Sequence, residues 1–276
     1  KYYTEKLKLK VFNYNEEELK PYFSMEKSIQ GVFDLAQKLY GLTFNEVNHL
    51  SVYHPDVKAY EVKEANGELL GYFMGDFYVR ESKKPGAWMS DIIAQGILFG
   101  EKRPPLISIV CNFEKPQQNE PSLLTLRDVE TLFHEFGHAL HGLLSKTTYR
   151  YFSGPNVHWD FVELPSQILE NWVSEKECLD LFAAHYQSGE KIPASLIEKI
   201  VSARSFMEGL ATLRQLNLAT LDLKLHSDNV TDTKDLEKKV NQEFSFFPES
   251  NFLIAPTFSH LFAGGYSAGY YSYKWA

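Results

Sequence analysis

The chain changes character over residues 50 to 112, where strand-like runs replace helical spacing, and that change limits the fold more than any other feature. Val57 to Glu64 and Leu69 to Val79 are β-leaning runs on either side of Ala65-Asn66-Gly67-Glu68. Asn-Gly between such runs predicts a hairpin, because both residues tolerate the positive φ that a tight turn demands. Leu106 to Phe113, set off by Pro104-Pro105 and Pro116, predicts one more short strand. Elsewhere the apolar spacing is helical. From Pro21 to Leu42 it runs through Phe23, Ile29, Val32, Phe33, Ala36 and Leu39, with Gly41 at a plausible end. After Pro121, Thr125-Leu126-Arg127-Asp128 resembles a capping box opening a helix through Leu144, with Val129, Leu132, Phe133, Phe136, Leu140 and Leu143 as its apolar stripe. Further helices are expected at about 161 to 187, 194 to 226 and 234 to 246, and Ser153-Gly154-Pro155-Asn156 reads as loop. With no internal repeat and no clear linker, the expectation is a mostly α chain with a small β-sheet, an α+β domain over residues 1–276.

Composition narrows the function classes. The 276 residues can bury a substantial core, and a formal charge of -8 argues against non-specific nucleic-acid binding. Cys111 and Cys178 are far apart and form no C-x-x-C, so neither a disulfide framework nor a thiolate zinc cluster is indicated, and a reducing, cytoplasmic compartment is expected. No run approaches the roughly 18 apolar residues of a membrane span, and Lys1-Tyr2-Tyr3-Thr4-Glu5-Lys6 is too polar for a signal peptide, so no membrane partner is expected. A start at Lys1 and a stop in Tyr273-Lys274-Trp275-Ala276 suggest a piece of something longer.

The helix after Thr125 carries His134-Glu135-Phe136-Gly137-His138, an H-E-x-x-H. Histidines four apart share a helical face, so two imidazoles can grip one Zn²⁺ while the intervening glutamate reaches a water on the metal. The alternative is a coincidental match with core histidines. A catalytic zinc takes three protein ligands, and the neighbouring candidates for the third are His141 and Glu163. His141 projects a turn farther along and suits packing or support of a ligand better than ligation. Glu163, near the start of the next expected helix, could return a carboxylate to the pair.

Several segments together resemble the zinc oligopeptidases, the family of thimet oligopeptidase, neurolysin, oligopeptidase A and peptidyl-dipeptidase. They are the His134–His138 motif, Asp160-Phe161-Val162-Glu163 with Pro165-Ser166-Gln167 and Glu170-Asn171-Trp172, Tyr78-Val79-Arg80-Glu81 with Gly86-Ala87-Trp88, and the run from His260 through Gly264-Gly265-Tyr266 to Tyr273. The Phe262–Gly265 spacing is more like the oligopeptidase A and peptidyl-dipeptidase branch. The resemblance implies a zincin-like catalytic domain holding one Zn²⁺ through His134, His138 and Glu163, with Glu135 as general base and His260, Tyr266, Tyr270 and Tyr273 contacting substrate or transition state. It implies short peptides as substrates. Two departures stand out: Pro155 occupies a position where a threonine is expected, and family members are far longer, with an N-terminal helical part and a further helical segment after Trp275. Self-association, or pairing with that N-terminal part, is therefore expected.

Two other readings stay open: release of C-terminal dipeptides, and a non-catalytic peptide-binding fragment in which zinc only ties helices together. Glu135 separates the latter from catalysis, since a closed structural site has no use for an acid beside the water. Glu130 and Glu170 are candidates to support the metal-binding imidazoles. Tyr271 is read as packing, and His49, His54, His158, His185 and His226 as surface or core residues without a companion pattern.

Overall fold

The computed structural model describes residues 2–13, 15–117, 120–244, 246 and 253–276. The chain divides into two compact units, residues 1–156 with 165–204, and residues 157–164 with 205–276.

The first unit holds the strands β1 (Thr43–Glu46), β2 (Lys58–Lys63), β3 (Leu69–Tyr78), β4 (Trp88–Ile93), β5 (Gly96–Leu98), β6 (Glu101–Arg103) and β7 (Leu106–Phe113). β2 and β3 form the expected hairpin around Asn66-Gly67, with Gly67 at φ +83° and the Glu64 amide donating to the Glu68 carbonyl at 2.9 Å. The main sheet runs β1-β2-β3-β7-β4, while β5 and β6 make a separate ribbon. Among the described strands only β3 and β7 pair in parallel, with Phe73 opposite Ile107. Alternation along the strands sends Val62, Phe73, Phe77, Ile107, Ile109 and Cys111 into the main core, whereas Ala59 and Met74 join a smaller cluster with Val57.

Two helices contribute heavily to that core. Met25–Tyr40 buries Ile29, Val32, Phe33 and Ala36, and Gly41 ends it in the left-handed conformation at φ +72°. Leu126–Leu143 starts from a complete capping box: Thr125 Oγ1 accepts from the Asp128 amide at 3.1 Å, and Asp128 Oδ2 accepts from the Thr125 amide at 2.9 Å. Its buried stripe is the one that the spacing predicts. Each such side chain contributes about 1.5–3 kcal/mol of transfer free energy when fully buried. Gly137 lies where this helix meets the short helix Leu164–Glu170; a Cβ there would sit 2.6 Å from the Pro165 carbonyl oxygen and the Ser166 Cα.

In several places the local structure departs from the sequence expectations. The expected helix at 161–187 is four short pieces, Trp159–Val162, Leu164–Glu170, the 3-10 turn Asn171–Ser174 and Lys176–Phe182. Pro165 has no amide hydrogen to continue the first of them, and Glu175 is extended at φ -88°, ψ 127°. The expected helix at 194–226 is two, Ala194–Ala203 and Glu208–Ser227, separated near Met207, which sits at φ +60°. Strands β1, β4, β5 and β6 and the helix Tyr2–Phe12 are additions.

In the second unit, Glu208–Ser227 packs with Thr233–Phe244, which matches the expected 234–246 closely. Leu218, Phe258 and Leu261 form its cluster, joined by Leu225, Ile254 and Tyr270. The short C-terminal helix Ser272–Trp275 packs on Trp159–Val162. None of the described helices is long and apolar enough to cross a membrane.

Candidate metal centre

The motif helix presents its two histidines on one face, with ring centroids 4.9 Å apart and planes at 87°. His134 Nδ1 lies 2.6 Å from Glu170 Oε1. A neutral imidazole that donates from Nδ1 carries its lone pair on Nε2, so this contact with Glu170 would leave Nε2 available to a metal. The close approach at Gly137 brings the helix that ends in Glu170 within reach of His134. Of the two acids predicted to support the pair, Glu170 makes that contact. Glu130 lines the same cleft, and burial and then the Glu170 carboxylate push its pKa up.

That cleft, about 510 Å³, is walled by Gly86, Ala87, Asn112, Glu130, His134, Glu135 and Glu170 among others. Glu135 is 5% exposed. It therefore sits on the cleft wall as a nearly desolvated acid beside His134. Burial and the neighbouring His138 lower the pKa of His141, which favours its neutral form.

One group among the described residues could hold a metal ion: His134, His138 and Glu163 each offer a ligand atom, and these atoms lie within 4.8 Å of one another. Two imidazoles and a carboxylate are a donor set that suits Zn²⁺ and leaves a position open. His141 is not part of the group. Glu163 is 1% exposed, at the end of the turn Trp159–Val162.

The Tyr266 hydroxyl donates to Glu163 Oε1. Tyr266 also packs on Trp159 at 4.7 Å and stacks on Tyr273 at 5.2 Å and 19°. Tyr270 contacts Tyr273 and Phe258 at 5.0 and 4.9 Å, and His260 lies 5.9 Å from Tyr266 and 6.1 Å from Tyr270. The four C-terminal residues singled out in the sequence therefore form one aromatic cluster. Burial raises the phenol pKa of both Tyr270 and Tyr273, for Tyr273 with Glu163 as the next cause, so both are protonated donors at neutral pH. Tyr271 is partly exposed and takes no part in the ring contacts described.

Cys111 and Cys178 are buried, free thiols; burial pushes Cys178 up to about 12 and Cys111 well above its ordinary value. Neither has the character of a nucleophile.

The whole chain, residues 1–276, matches Peptidase family M3, and it belongs to that family. It is 42% identical over 289 residues to the organellar oligopeptidase A, chloroplastic/mitochondrial, of Arabidopsis thaliana, covering 100% of this chain and 36% of that protein. Oligopeptidase A of Escherichia coli is 41% identical over 282 residues, covering 100% of this chain and 42% of the relative. The dipeptidyl carboxypeptidase of Escherichia coli is 40% identical over 283 residues, covering 99% of this chain and 41% of the relative. The chain thus spans about two fifths of the length of these relatives.

Two of the histidines read as lacking companions have acidic partners. His54 Nδ1 is 3.7 Å from Asp56, and His226 Nδ1 is 2.9 Å from the fully buried Asp222. The Asp222–His226 spacing of four on a helix was available in the sequence, but the same spacing is common in solvated surface pairs.

Proposed function

We propose that residues 1–276 are the catalytic part of a zinc-dependent oligopeptidase that hydrolyses peptide bonds in short peptides. The observation that carries this reading is the convergence of His134, His138 and Glu163, with Glu135 between the histidines on the cleft wall. A zincin-like domain with one Zn²⁺ per chain is part of the proposal. In such a donor set zinc supplies Lewis-acid polarisation of a carbonyl and draws the pKa of water toward about 7.

The chain's own groups account for the proton traffic. Glu135 accepts a proton from the attacking water as its oxygen bonds to the scissile carbonyl carbon, then delivers that proton to the departing nitrogen as the C–N bond breaks. The water's second proton passes to the same nitrogen, so the products are a carboxylate and a protonated amine, and Glu135 ends as it began. Glu170 keeps His134 oriented. Tyr270 and Tyr273, protonated and clustered, are the proposed donors to the oxyanion, and His260 and Tyr266 the proposed substrate contacts, with Tyr266 also fixing Glu163.

Release of C-terminal dipeptides is a second reading, favoured by the 40% identity to a dipeptidyl carboxypeptidase. Product analysis on peptides with free and amidated C-termini separates the two. We further infer that the remaining three fifths of the relatives' length corresponds to a partner segment with which this part associates, and that two buried free cysteines suit a reducing cytoplasm.

The decisive experiment is zinc analysis with a quenched-peptide assay on the wild type and Glu135→Gln. The expected result is one zinc in each and about 10²- to 10⁴-fold slower turnover in the variant. Equal turnover by both would sink the hydrolase reading; zinc without turnover in either would favour the non-catalytic one.

A further inference from the structure

Asp222, on Glu208–Ser227, is 0% exposed yet ionisable. A carboxylate is kept in such a place only where donors replace its water. Its Oδ1 accepts from the Ala268 amide at 2.9 Å and its Oδ2 from the Tyr270 amide at 2.9 Å. His226, one turn along the helix, brings Nδ1 to 2.9 Å from both Oδ1 and the Asp222 carbonyl oxygen. Both backbone donors come from the tyrosine segment, 46 and 48 residues away in sequence.

That segment has little regular structure to hold it. Between the helices Ser259–Phe262 and Ser272–Trp275 it has turn bonds of its own, from the Gly269 amide to the Tyr266 carbonyl at 2.9 Å and from the Ser272 amide to the Gly269 carbonyl at 3.1 Å, and it is tied to its surroundings by the Tyr266 amide on the His260 carbonyl at 3.1 Å, by the Ser267 hydroxyl on the Leu261 carbonyl, and by Asp222. Ala268 sits at φ +56°, a left-handed conformation that an alanine resists. The Asp222 carboxylate, accepting the Ala268 amide, offsets that resistance. Tyr266 precedes this residue by two positions and Tyr270 follows it by two.

We propose that Asp222 is a positioning residue: its buried carboxylate fixes the backbone at Ala268 and Tyr270 and so sets where the Tyr266 and Tyr270 hydroxyls lie, with His226 orienting the carboxylate. The catalytic consequence rests on the hydrolase reading above, whereas the anchoring itself can be measured without turnover. The bland alternative is a brace that only stabilises the helical unit.

The test uses Asp222→Asn in the purified protein, read by amide hydrogen exchange and by kinetics. Asparagine keeps one acceptor and turns an NH₂ toward the other amide. Exchange at Ala268 and Tyr270 is expected to accelerate at least about tenfold while the amides of Glu208–Ser227 and Thr233–Phe244 keep wild-type protection. In samples matched for zinc content, kcat/KM should fall by up to about 100-fold, the scale of a small misplacement of groups that contact substrate. Tyr266→Phe should then cost much less in the Asp222→Asn background than in the wild type, because its hydroxyl is already misplaced. Additive losses, or loss of protection spread evenly over both helices, would overturn positioning in favour of the brace.

Should Asp222→Asn not fold, Ala268→Pro removes the same hydrogen bond from the loop side and forbids the left-handed φ; wild-type kcat/KM in that variant would overturn the proposal. A wild type that hydrolyses nothing would remove the hydrolase reading alone. The exchange rates at Ala268 and Tyr270 would still decide the anchor, and unchanged rates in Asp222→Asn would end it.

Discussion

The 2.6 Å contact between His134 Nδ1 and Glu170 Oε1 joins the first residue of the H-E-x-x-H motif to a residue 36 positions farther along the chain. Removing the charge while keeping the shape, Glu170→Gln, should weaken zinc binding by about 10- to 100-fold, as for other partners of ligating imidazoles. Competition with a chromophoric chelator measures it. Unchanged affinity would make Glu170 an ordinary acid of the cleft.

The third ligand can be tested by ranking two substitutions. Glu163→Ala should lower metal affinity far more than His141→Ala, because among the described residues only Glu163 brings a ligand atom within 4.8 Å of both histidines' ligand atoms. The reverse ranking would reassign the ligand set.

Tyr270 and Tyr273 are partly buried against each other, and removing either hydroxyl with Phe leaves the ring packing intact. If a hydroxyl stabilises the oxyanion, its loss should lower kcat by about 100- to 1,000-fold with little change in the unfolding midpoint. A Phe variant with wild-type kcat assigns that residue to packing.

The sheet carries its own pH signature. Burial alone would raise the pKa of Asp76, but hydrogen bonds from Arg80, Lys83 and Tyr53 outweigh it and hold the carboxyl at about 2. Arg80 is bidentate at 2.7 and 2.8 Å, and Lys83 donates at 2.9 Å. A carboxyl depressed in the folded state contributes stability above its unfolded pKa, near 4, and loses that contribution as pH falls through about 2. Asp76→Asn should therefore cost about 3–5 kcal/mol at neutral pH, leaving Lys83 buried without its counter-charge. The gap between the two proteins' urea midpoints should narrow from pH 4 downward; a gap independent of pH would contradict this.

Much of the motif helix was legible because three independent signals coincide in one segment: the Thr125–Asp128 box, the apolar stripe and the histidine spacing. The β2–β3 hairpin was legible through Asn66-Gly67. Strands β1 and β4 were not, because they are edges with half-exposed, mixed sequences such as Thr43-Phe44-Asn45-Glu46. Nor was the parallel pairing of β3 with β7, a register set between residues such as Tyr72 and Leu106 that no local pattern links. The Met207 break has no proline to announce it. Asp222 stayed hidden for a different reason: what distinguishes it from a surface acid is burial and two distant amides, and neither is a property of neighbouring letters.

Phe136 occupies one of the two positions that the H-E-x-x-H formula leaves blank. It is 1% exposed, and its ring lies 5.8 Å from Phe33, 5.5 Å from Phe44 and 5.7 Å from Phe73. Those three rings come from a helix and two strands, so the motif helix is keyed into the sheet by the side chain immediately after Glu135. The other blank, Gly137, faces backbone with no room for a methyl group. A substitution survey of this protein should therefore find the two unspecified letters almost as intolerant as the three specified ones, with the losses at Phe136 and Gly137 appearing first as poor protein yield and those at His134, Glu135 and His138 as well-made but silent protein.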